Sequence, residues 1–344
     1  MKKIITLSLF LLSLNMYAQR AFVRQNGTSH IYYQIDSVFF TARTGDTIYL
    51  PGGGFQINNL FIDSSITIIG AGHYPDSTQA TYATTLSGNI YLKNNASFGS
   101  ISGIYLTGSI IFGNSPANQT VTNYSIARCN VAGIQMGYNQ NLTGTASYII
   151  VKENIVRGWV RVCNAQFVSI ENNLINADVS LFNGNISVKN NTFLGGGGCP
   201  AYCIATGSNA TVENNIAILV SGCGVIGISS DVYSGIFTNN VFNIPLSFPV
   251  GSNIGSGNYT NISFTNFFVN ETDYTIDYSS DYHLQNPATY LGNDGTQVGM
   301  YGTANPYKAG AVPANPHIRS KIIAPYTDNN GDLNINITVG AQDK

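Results

Sequence analysis

One short segment of the sequence places an aromatic ring between two planar cations. Arg157, Trp159 and Arg161 alternate with the apolar residues Val160 and Val162. Such alternation predicts a half-buried strand whose valines face the core and whose other side chains face solvent. An exposed indole offers an apolar face to a sugar ring, and guanidinium groups pair with carboxylates in a bidentate manner. The segment therefore predicts a surface that binds a sugar or a sugar acid.

An internal repeat determines where this segment lies. Five segments share a pattern in which one apolar residue, two polar residues and an Asn precede two mostly apolar residues. They are Val151–Val156, Ile170–Ile175, Val188–Phe193, Val212–Ala217 and Phe237–Phe242. The Asn residues are spaced 19, 18, 24 and 25 residues apart. A period of this length with β-branched alternation predicts short strands that stack rung upon rung.

The Asn of each repeat is predicted to form a ladder along one corner of the stack. The ladder residues are Asn130, Asn154, Asn173, Asn191, Asn215 and Asn240, where Asn130 belongs to a weaker sixth copy. Equivalent residues of stacked strands lie about 4.8 Å apart, so each amide can bond to the next. Asn also adopts the left-handed conformation that a tight corner requires. We interpret these residues as structural rather than ligand-binding.

The composition agrees with an all-β fold. Only 9% of the residues are charged, and the 344 residues include 36 Gly and 41 Asn. A helical protein would need more Leu, Glu, Lys and Ala on its exposed faces. The formal net charge of −2 provides no basic surface, so we expect no nucleic-acid partner.

Two further segments carry a resemblance to a known family. Gly45–Tyr74 resembles the first rungs, and Asp281–Gly302 the closing segment, of right-handed parallel β-helix proteins of the pectin-lyase-like superfamily, in their secreted bacterial form. With the repeats, the resemblance covers most of the mature chain. It implies an all-β, right-handed parallel β-helix (a solenoid). It implies no single activity, because this scaffold hosts lyases, hydrolases, adhesins and binding proteins.

The domain organisation follows from these segments. We predict a signal peptide at 1–18, an N-terminal cap at 19–44, a parallel β-helix at 45–302 and an extended C-terminal segment at 303–344. The cap contains a short helix that Asp36 or Ser37 caps and that extends through Arg43, and the C-terminal segment ends in a strand at Leu333–Val339.

Stacking of the rungs predicts the neighbours of Trp159. Gln135 precedes the strand by one rung, and Asn176 and Asp178 follow it by one rung. Tyr202, after a Gly-rich insertion, is expected near Asp178. With Arg157, Trp159 and Arg161, these residues form the candidate ligand-binding site. The alternative is that a loop covers Trp159 and that Arg161 pairs with Asp178 as an ordinary surface ion pair.

The sequence assigns no catalytic residue. The resemblance implies that a lyase would use an Arg or Lys base together with acidic residues that hold calcium, but only Asp178 lies near Arg157 and Arg161. His30, His73, His283 and His317 all lie outside the central rungs. The sequence therefore shows no evident general base, cofactor or metal site. We expect a calcium ion only if the protein is a lyase. We therefore predict a protein that binds a polysaccharide or cell-surface glycan, or a structural surface protein; the alternative is a polysaccharide lyase acting on a uronate-containing glycan.

The N-terminus predicts export. Lys2 and Lys3 precede the apolar run Ile4–Leu14, which is too short to span a bilayer, and Ala18 precedes a cleavage site before Gln19. Cleavage would leave a net charge of about −4 and no membrane span in the mature form, and we expect a secreted, periplasmic or cell-surface protein. A retained membrane anchor is the alternative.

The five cysteines leave two alternatives open. They are Cys129, Cys163, Cys199, Cys203 and Cys223. An oxidising compartment permits a Cys199–Cys203 disulfide, but free cysteines often serve as small buried apolar residues, and we favour that interpretation.

Overall fold

Stacked parallel strands make up most of the chain. A computed structural model describes residues 22–113, 119–137, 146–163, 165–181, 184–195, 204–205, 209–219, 234–308, 310, 312, 314 and 316–341. Within these residues the strands form two twelve-stranded sheets and two small antiparallel pairs. Strands of successive rungs pair in parallel, so the predicted all-β parallel β-helix is confirmed.

The helices and strands have the following bounds. Among the described residues one α-helix, α1, spans Ile35–Phe40, and short 3₁₀ turns span Asp76–Thr78, Asn94–Ala96 and Pro287–Thr289. The strands are β1 (Phe22–Asn26), β2 (Thr28–Tyr32), β3 (Thr47–Tyr49), β4 (Gly53–Ile62), β5 (Thr67–Ile69), β6 (Thr84–Leu92), β7 (Ser100–Ser102), β8 (Tyr105–Phe112), β9 (Thr122–Ala127), β10 (Asn130–Met136), β11 (Ser147–Lys152), β12 (Ile155–Val156), β13 (Val160–Val162), β14 (Gln166–Glu171), β15 (Leu174–Ile175), β16 (Val179–Leu181), β17 (Ile186–Lys189), β18 (Thr192–Gly195), β19 (Ile204–Ala205), β20 (Ala210–Glu213), β21 (Ile216–Leu219), β22 (Ile236–Thr238), β23 (Val241–Phe242), β24 (Ile254–Ser256), β25 (Phe268–Asn270), β26 (Asp281–Leu284), β27 (His317–Ile323) and β28 (Ile335–Gly340).

The two large sheets divide each rung between them. The first contains β3, β5, β7, β9, β11, β14, β17, β20, β22 and β24 as parallel neighbours, and the hairpin β1–β2 closes its N-terminal end. The second begins with the long strands β4, β6, β8 and β10. Beyond β10, which pairs with both β12 and β13, three rungs contribute two shorter strands each to this sheet, and the described parts of the next two rungs contribute one each, β21 and β23.

Apolar residues of successive rungs stack inside the solenoid. The first residue of each repeat forms one such column, in the order Val151, Ile170, Val188, Val212 and Phe237. All five side chains are fully buried. Burial of an aliphatic or aromatic side chain of this size stabilises the fold by roughly 1.5–3 kcal/mol, so a slip of register would be strongly unfavourable.

The chain folds back over the solenoid after β24. Residues from Phe267 to Tyr307 pack against the outward side of the short strands of the second sheet. Phe268, Met300 and Tyr307 cover Leu174 and Ile216 in this way, and together they form a second buried cluster. The chain from Phe267 to Tyr307 thus crosses earlier rungs instead of adding new ones.

The N-terminal helix differs slightly from the prediction. α1 begins at Ile35, and its N-cap is Gln34, whose side chain makes no capping hydrogen bond. Asp36 and Ser37 lie inside the first turn, because the extended backbone of Gln34 starts the helix before them. Val38 is fully buried against the first rungs, as a cap requires.

The chain ends in an antiparallel hairpin. β28 pairs with β27, with Ile318 opposite Val339 and Ile323 opposite Ile335. The predicted final strand therefore pairs with its own neighbour and not with an edge of the solenoid. Among the described residues, no helix has the length and apolarity needed to cross a bilayer.

Candidate functional site

Six asparagines form a continuous ladder inside one corner of the solenoid. They are Asn154, Asn173, Asn191, Asn215, Asn240 and Asn258. Each Nδ2 donates to the Oδ1 of the next residue at 2.9–3.0 Å. Each Oδ1 also accepts the backbone N–H of the preceding ladder position. Asn258, which the sequence analysis did not assign, continues the ladder by one rung.

Asn130 does not belong to this ladder, and the ladder position of its rung is Cys129. Asn130 pairs with Ile155, so the residue that lies over Asn154 is Cys129. The backbone N–H of Cys129 donates to Asn154 Oδ1 at 2.9 Å. Its Sγ lies 3.2 Å from the carbonyl oxygen of Ala127 and makes contacts equivalent to those of an Asn amide. Burial raises the pKa of this thiol to about 12, and it therefore stays neutral.

The left-handed backbone lies one residue before each ladder position. The residues with positive φ are Arg128, Glu153, Asn172, Asn190, Asn214, Asn239 and Gly257, with φ between 52° and 65°. This explains the Asn doublets of the repeat. The first Asn adopts the left-handed conformation, and the second one points inward and forms the ladder.

Side chains at this left-handed corner hold the returning C-terminal chain. Asn172 Nδ2 donates to the carbonyl oxygen of Met300 at 2.9 Å. Asn214 Nδ2 donates to Asn293 Oδ1 at 2.9 Å. The returning chain, which includes Asn293 and Met300, thus covers this corner over several rungs and leaves no open ligand site at these described positions.

A buried ion pair lies at the same corner, with Glu153 one rung and Arg128 two rungs before Asn172. Arg128 Nε and Glu153 Oε2 are 2.8 Å apart, and both side chains are about 5% exposed. Arg128 also donates to the carbonyl oxygen of Val312 at 3.2 Å. The pair therefore links two adjacent rungs to the C-terminal segment.

A polar cluster beside this ion pair contains His73. The His73 Nδ1 and the Tyr278 hydroxyl are 3.0 Å apart, and Asn130 Nδ2 donates to the same hydroxyl at 2.7 Å. His73 is only 2% exposed, and its Nε2 has no hydrogen-bond partner. Burial, with a smaller contribution from the Arg157 cation, lowers the pKa of His73 to about 3. The imidazole is therefore neutral at ordinary pH and is closed off from a polymeric substrate.

Arg157, a predicted ligand residue, belongs to this cluster instead of facing open solvent. Its guanidinium donates to Asn130 Oδ1 and, at 2.8 Å, to the carbonyl oxygen of Leu106. Its Cζ lies 4.5 Å from the centre of the Tyr105 ring. Because its guanidinium contacts Asn130, Leu106 and the Tyr105 ring, Arg157 mainly holds neighbouring strands of the second sheet together.

Trp159 and Arg161 form a stacked pair on the outer face of β13. The Cζ of Arg161 lies 4.3 Å from the centre of the indole ring, within the range of a cation–π contact. The indole is half-buried and lies against Gly133, where an added Cβ would come within 3.2 Å of two ring carbons. Gly133 thus leaves the space in which the indole lies flat on the sheet, and Arg161 remains exposed.

The other candidate residues lie around this pair as the register requires. Gln135 is the parallel neighbour of Arg161, and the pairing of Val160 with Val179 places Asp178 beside Trp159. Asp178 accepts a hydrogen bond from the Ser180 hydroxyl at 2.5 Å, and no ion pair joins it to Arg161.

Two candidate residues lie at the margin of the site. Asn176 is on the same rung as Asp178, and its Oδ1 is buried without a hydrogen-bond partner. Tyr202 lies outside the described residues.

The cysteines are described only in part. Cys129 and Cys163 are buried free thiols, and Cys199, Cys203 and Cys223 lie outside the described residues.

The outward column that contains Arg161 extends further than the sequence analysis predicted. Its members, from the N-terminal side, are Phe61, Tyr91, Ile111, Gln135, Arg161 and Ser180. The rings of Phe61 and Tyr91 are stacked with centres 5.1 Å apart, and Phe61 is 46% exposed. We call this column, together with Trp159 and Asp178, the Trp159 face. At about 4.8 Å per strand it is about 24 Å long.

Acidic and metal-binding chemistry is sparse on the described surface. No group of three or more His, Cys, Asp or Glu side chains comes together within the part of the chain that the structure describes. The Trp159 face itself carries a single carboxylate, Asp178. Its arrangement suits the binding of a ligand through stacking, a cation and hydrogen bonds.

Comparisons with known proteins returned no match. No family model, no curated protein and no solved structure is significantly similar to the chain. The functional argument therefore depends on the geometry of the chain itself.

Proposed function

We propose that the chain is a secreted glycan-binding protein with a right-handed, pectin-lyase-like β-helix. The observation that carries this proposal is the Arg161–Trp159 pair, with 4.3 Å between the guanidinium carbon and the ring centre. Because Gly133 lies against the half-buried indole and the Arg161 guanidinium lies over its ring, the exposed guanidinium is the group that suits a uronate carboxylate, and the indole adds apolar contact area beside it. Gln135, Asp178 and Ser180 supply hydrogen-bond donors and acceptors around the pair.

The length of the Trp159 face supports a polymer as the ligand. The Phe61–Tyr91 pair, in which Phe61 is exposed and Tyr91 half-buried, lies at the opposite end of the same column from Arg161. A linear chain lying along the solenoid axis would meet aromatic surface near both ends and polar groups between them. A small molecule would occupy only one end.

The geometry favours binding over chain cleavage. Arg157, one of the two candidate bases, is engaged with Asn130, Leu106 and the Tyr105 ring. Arg161 lies on the indole, and among the described residues only Asp178 offers a carboxylate nearby. A lyase would need a free base and acidic residues that hold a calcium ion, which neutralises the uronate. The lyase therefore remains the second hypothesis, and the release of unsaturated product tests it.

The test is binding to acidic polysaccharides in solution. Purified mature protein is run in affinity gels that contain polygalacturonate, alginate or a neutral polymer. We expect retardation by at least one uronate polymer, and about a tenfold loss of affinity in Trp159→Ala and in Arg161→Ala. Arg161→Lys keeps the charge and removes the planar fork, so an intermediate loss is expected.

Two outcomes would overturn the proposal. The first is an unchanged affinity in both alanine variants, which would show that the glycan binds elsewhere. The second is release of unsaturated uronate, seen as a rise in ultraviolet absorbance with or without calcium, which would make the protein a lyase. Secretion is tested separately by the N-terminal sequence of the exported protein, which should begin at Gln19.

A further inference from the structure

A second groove runs along the outer face of the first sheet, away from the Trp159 face. Its floor is the outward column Ser125, Ile150, Ser169, Ser187, Thr211, Ile236 and Ile254. Three shallow pockets of about 380, 400 and 370 Å³ lie along it, and neighbouring pockets share lining residues. At about 4.8 Å per strand the groove is about 29 Å long. A feature of this length fits a linear polymer.

An exposed aromatic pair borders the groove. The rings of Tyr148 and Phe167 are nearly parallel, with centres 4.9 Å apart, and both side chains are at least 50% exposed. Phe167 lines two of the three pockets. The next position of its column is Asn185, so the ring face of Phe167 that points away from Tyr148 is not covered by another aromatic ring. That face is available to a ligand in the neighbouring pocket.

The backbone at this aromatic pair is unfavourable for bulky residues. Tyr148 and Phe167 have φ of 56° and 55°, in the left-handed region. Asn123, at the same corner one rung earlier, has φ of 53°. Asn adopts this conformation readily, whereas an aromatic residue there is uncommon. Two exposed aromatic side chains are thus held where folding alone would favour Asn.

The chemistry of the lining points to an uncharged ligand. The described residues that line the three pockets include no Lys, Arg, Asp or Glu. The polar groups are the hydroxyls of Ser169, Ser187 and Thr211 and the amides of Asn185 and Asn209. Such groups both donate and accept hydrogen bonds, which matches the hydroxyls of a sugar.

A polypeptide fits the groove less well than a glycan. Apart from β24 at the end of the sheet, the floor strands lie in the interior of the sheet, and their backbone groups already pair with strands on both sides. An extended peptide laid on it could not add a strand, and its own N–H and C=O groups would lack partners. We infer that this groove, the Phe167 groove, binds a neutral polysaccharide through stacking on Phe167 and hydrogen bonds to its hydroxyl and amide floor.

The experiment uses the matched variant that the fold itself offers. Phe167→Asn removes the ring and restores the residue type found at this corner in Asn123 and Asn209, so the variant is expected to fold. Ser187→Lys is a second variant, which places a long cation at a half-buried position of the groove floor. Wild type, both variants and Trp159→Ala are run in affinity gels containing xylan, glucomannan, mixed-linkage β-glucan, galactan or dextran, with polygalacturonate as the acidic comparison.

We expect at least one neutral polymer to retard the wild type. Phe167→Asn and Ser187→Lys should each weaken this binding by about tenfold, while Trp159→Ala leaves it unchanged. The inference is overturned if no neutral polymer binds, or if binding is equal in wild type and Phe167→Asn. Binding of polygalacturonate alone, with sensitivity to Trp159→Ala, would overturn the Phe167 groove and leave the proposed function intact.

Discussion

Removal of one ladder asparagine in the middle of the solenoid should destabilise the protein strongly. Asn191 is fully buried, and its side chain accepts two hydrogen bonds from Asn173 and donates to Asn215, Ile170 and Lys189. In Asn191→Ala all five hydrogen bonds disappear. The backbone N–H of Asn173 then remains buried without its partner, which alone costs about 1–3 kcal/mol.

The expected loss can be expressed as a change in melting temperature. With the lost bonds to the two carbonyls added, the cost is about 4 kcal/mol. An unfolding entropy of about 2.1 cal/mol/K per residue gives about 0.7 kcal/mol/K for this chain, so Tm should fall by about 6 °C. The assay is thermal denaturation followed by circular dichroism.

The end of the ladder supplies a matched control. Asn258 is only half-buried; it accepts from Asn240 and donates to Phe237, and no ladder residue follows it. Asn258→Ala should therefore lower Tm by only about 2 °C. Equal shifts in the two variants, or no shift in Asn191→Ala, would refute the claim that the buried ladder holds the rungs together.

Three further predictions concern the ladder corner and the buried polar groups. Cys129→Asn should leave Tm unchanged or raise it, because the new amide extends the ladder toward the first rungs; a marked fall in Tm would contradict this. The pKa of His73 is about 3 in the folded protein, below its ordinary value of 6.5, so the unfolded state binds the proton first as the pH falls. The free energy of unfolding should therefore decrease between pH 6.5 and pH 3, by up to about 1.4 kcal/mol per pH unit. Denaturation at several pH values should show this slope in wild type and not in His73→Gln. Arg128→Ala should lower the free energy of unfolding, measured by urea denaturation, by about 3–5 kcal/mol, because the buried Glu153 carboxylate loses its partner. Adding Glu153→Gln to this variant should recover part of the loss.

The sequence was most informative where the repeat is regular. The first residue of each repeat and its Asn recur with the same spacing inside each copy, so alignment of the copies gave the column from Val151 to Phe237 and the register that places Asp178 beside Trp159. Each copy carries several markers, and a slip by one residue would turn apolar residues outward.

The alignment was wrong where a different residue fills the same role. Cys129 takes the ladder position with a thiol, and the following Asn130 imitates the repeat pattern one residue too late. The role of the first Asn in each doublet was also missed, because its partners lie far away in sequence. Asn172, for example, contacts Met300.

The early part of the binding face could not be derived from the repeat. Phe61 and Tyr91 lie on the long strands β4 and β6, where the Asn marker is absent and the strands do not show where each rung turns. The engagement of Arg157 depends on Tyr105, Leu106 and Asn130, which are brought together only by the stacking of three rungs. Alternation within one strand predicts that a side chain faces outward, but it does not show what covers it.

The fluorescence of Trp159 offers the most direct test of glycan binding at the proposed site. The chain contains a single Trp, so its emission reports on this face alone. Titration of the mature protein with an oligogalacturonate should change the emission in a saturable manner, with the midpoint at the affinity found in gels, and Arg161→Ala should shift that midpoint about tenfold. An emission spectrum that stays constant while the glycan binds would contradict the account.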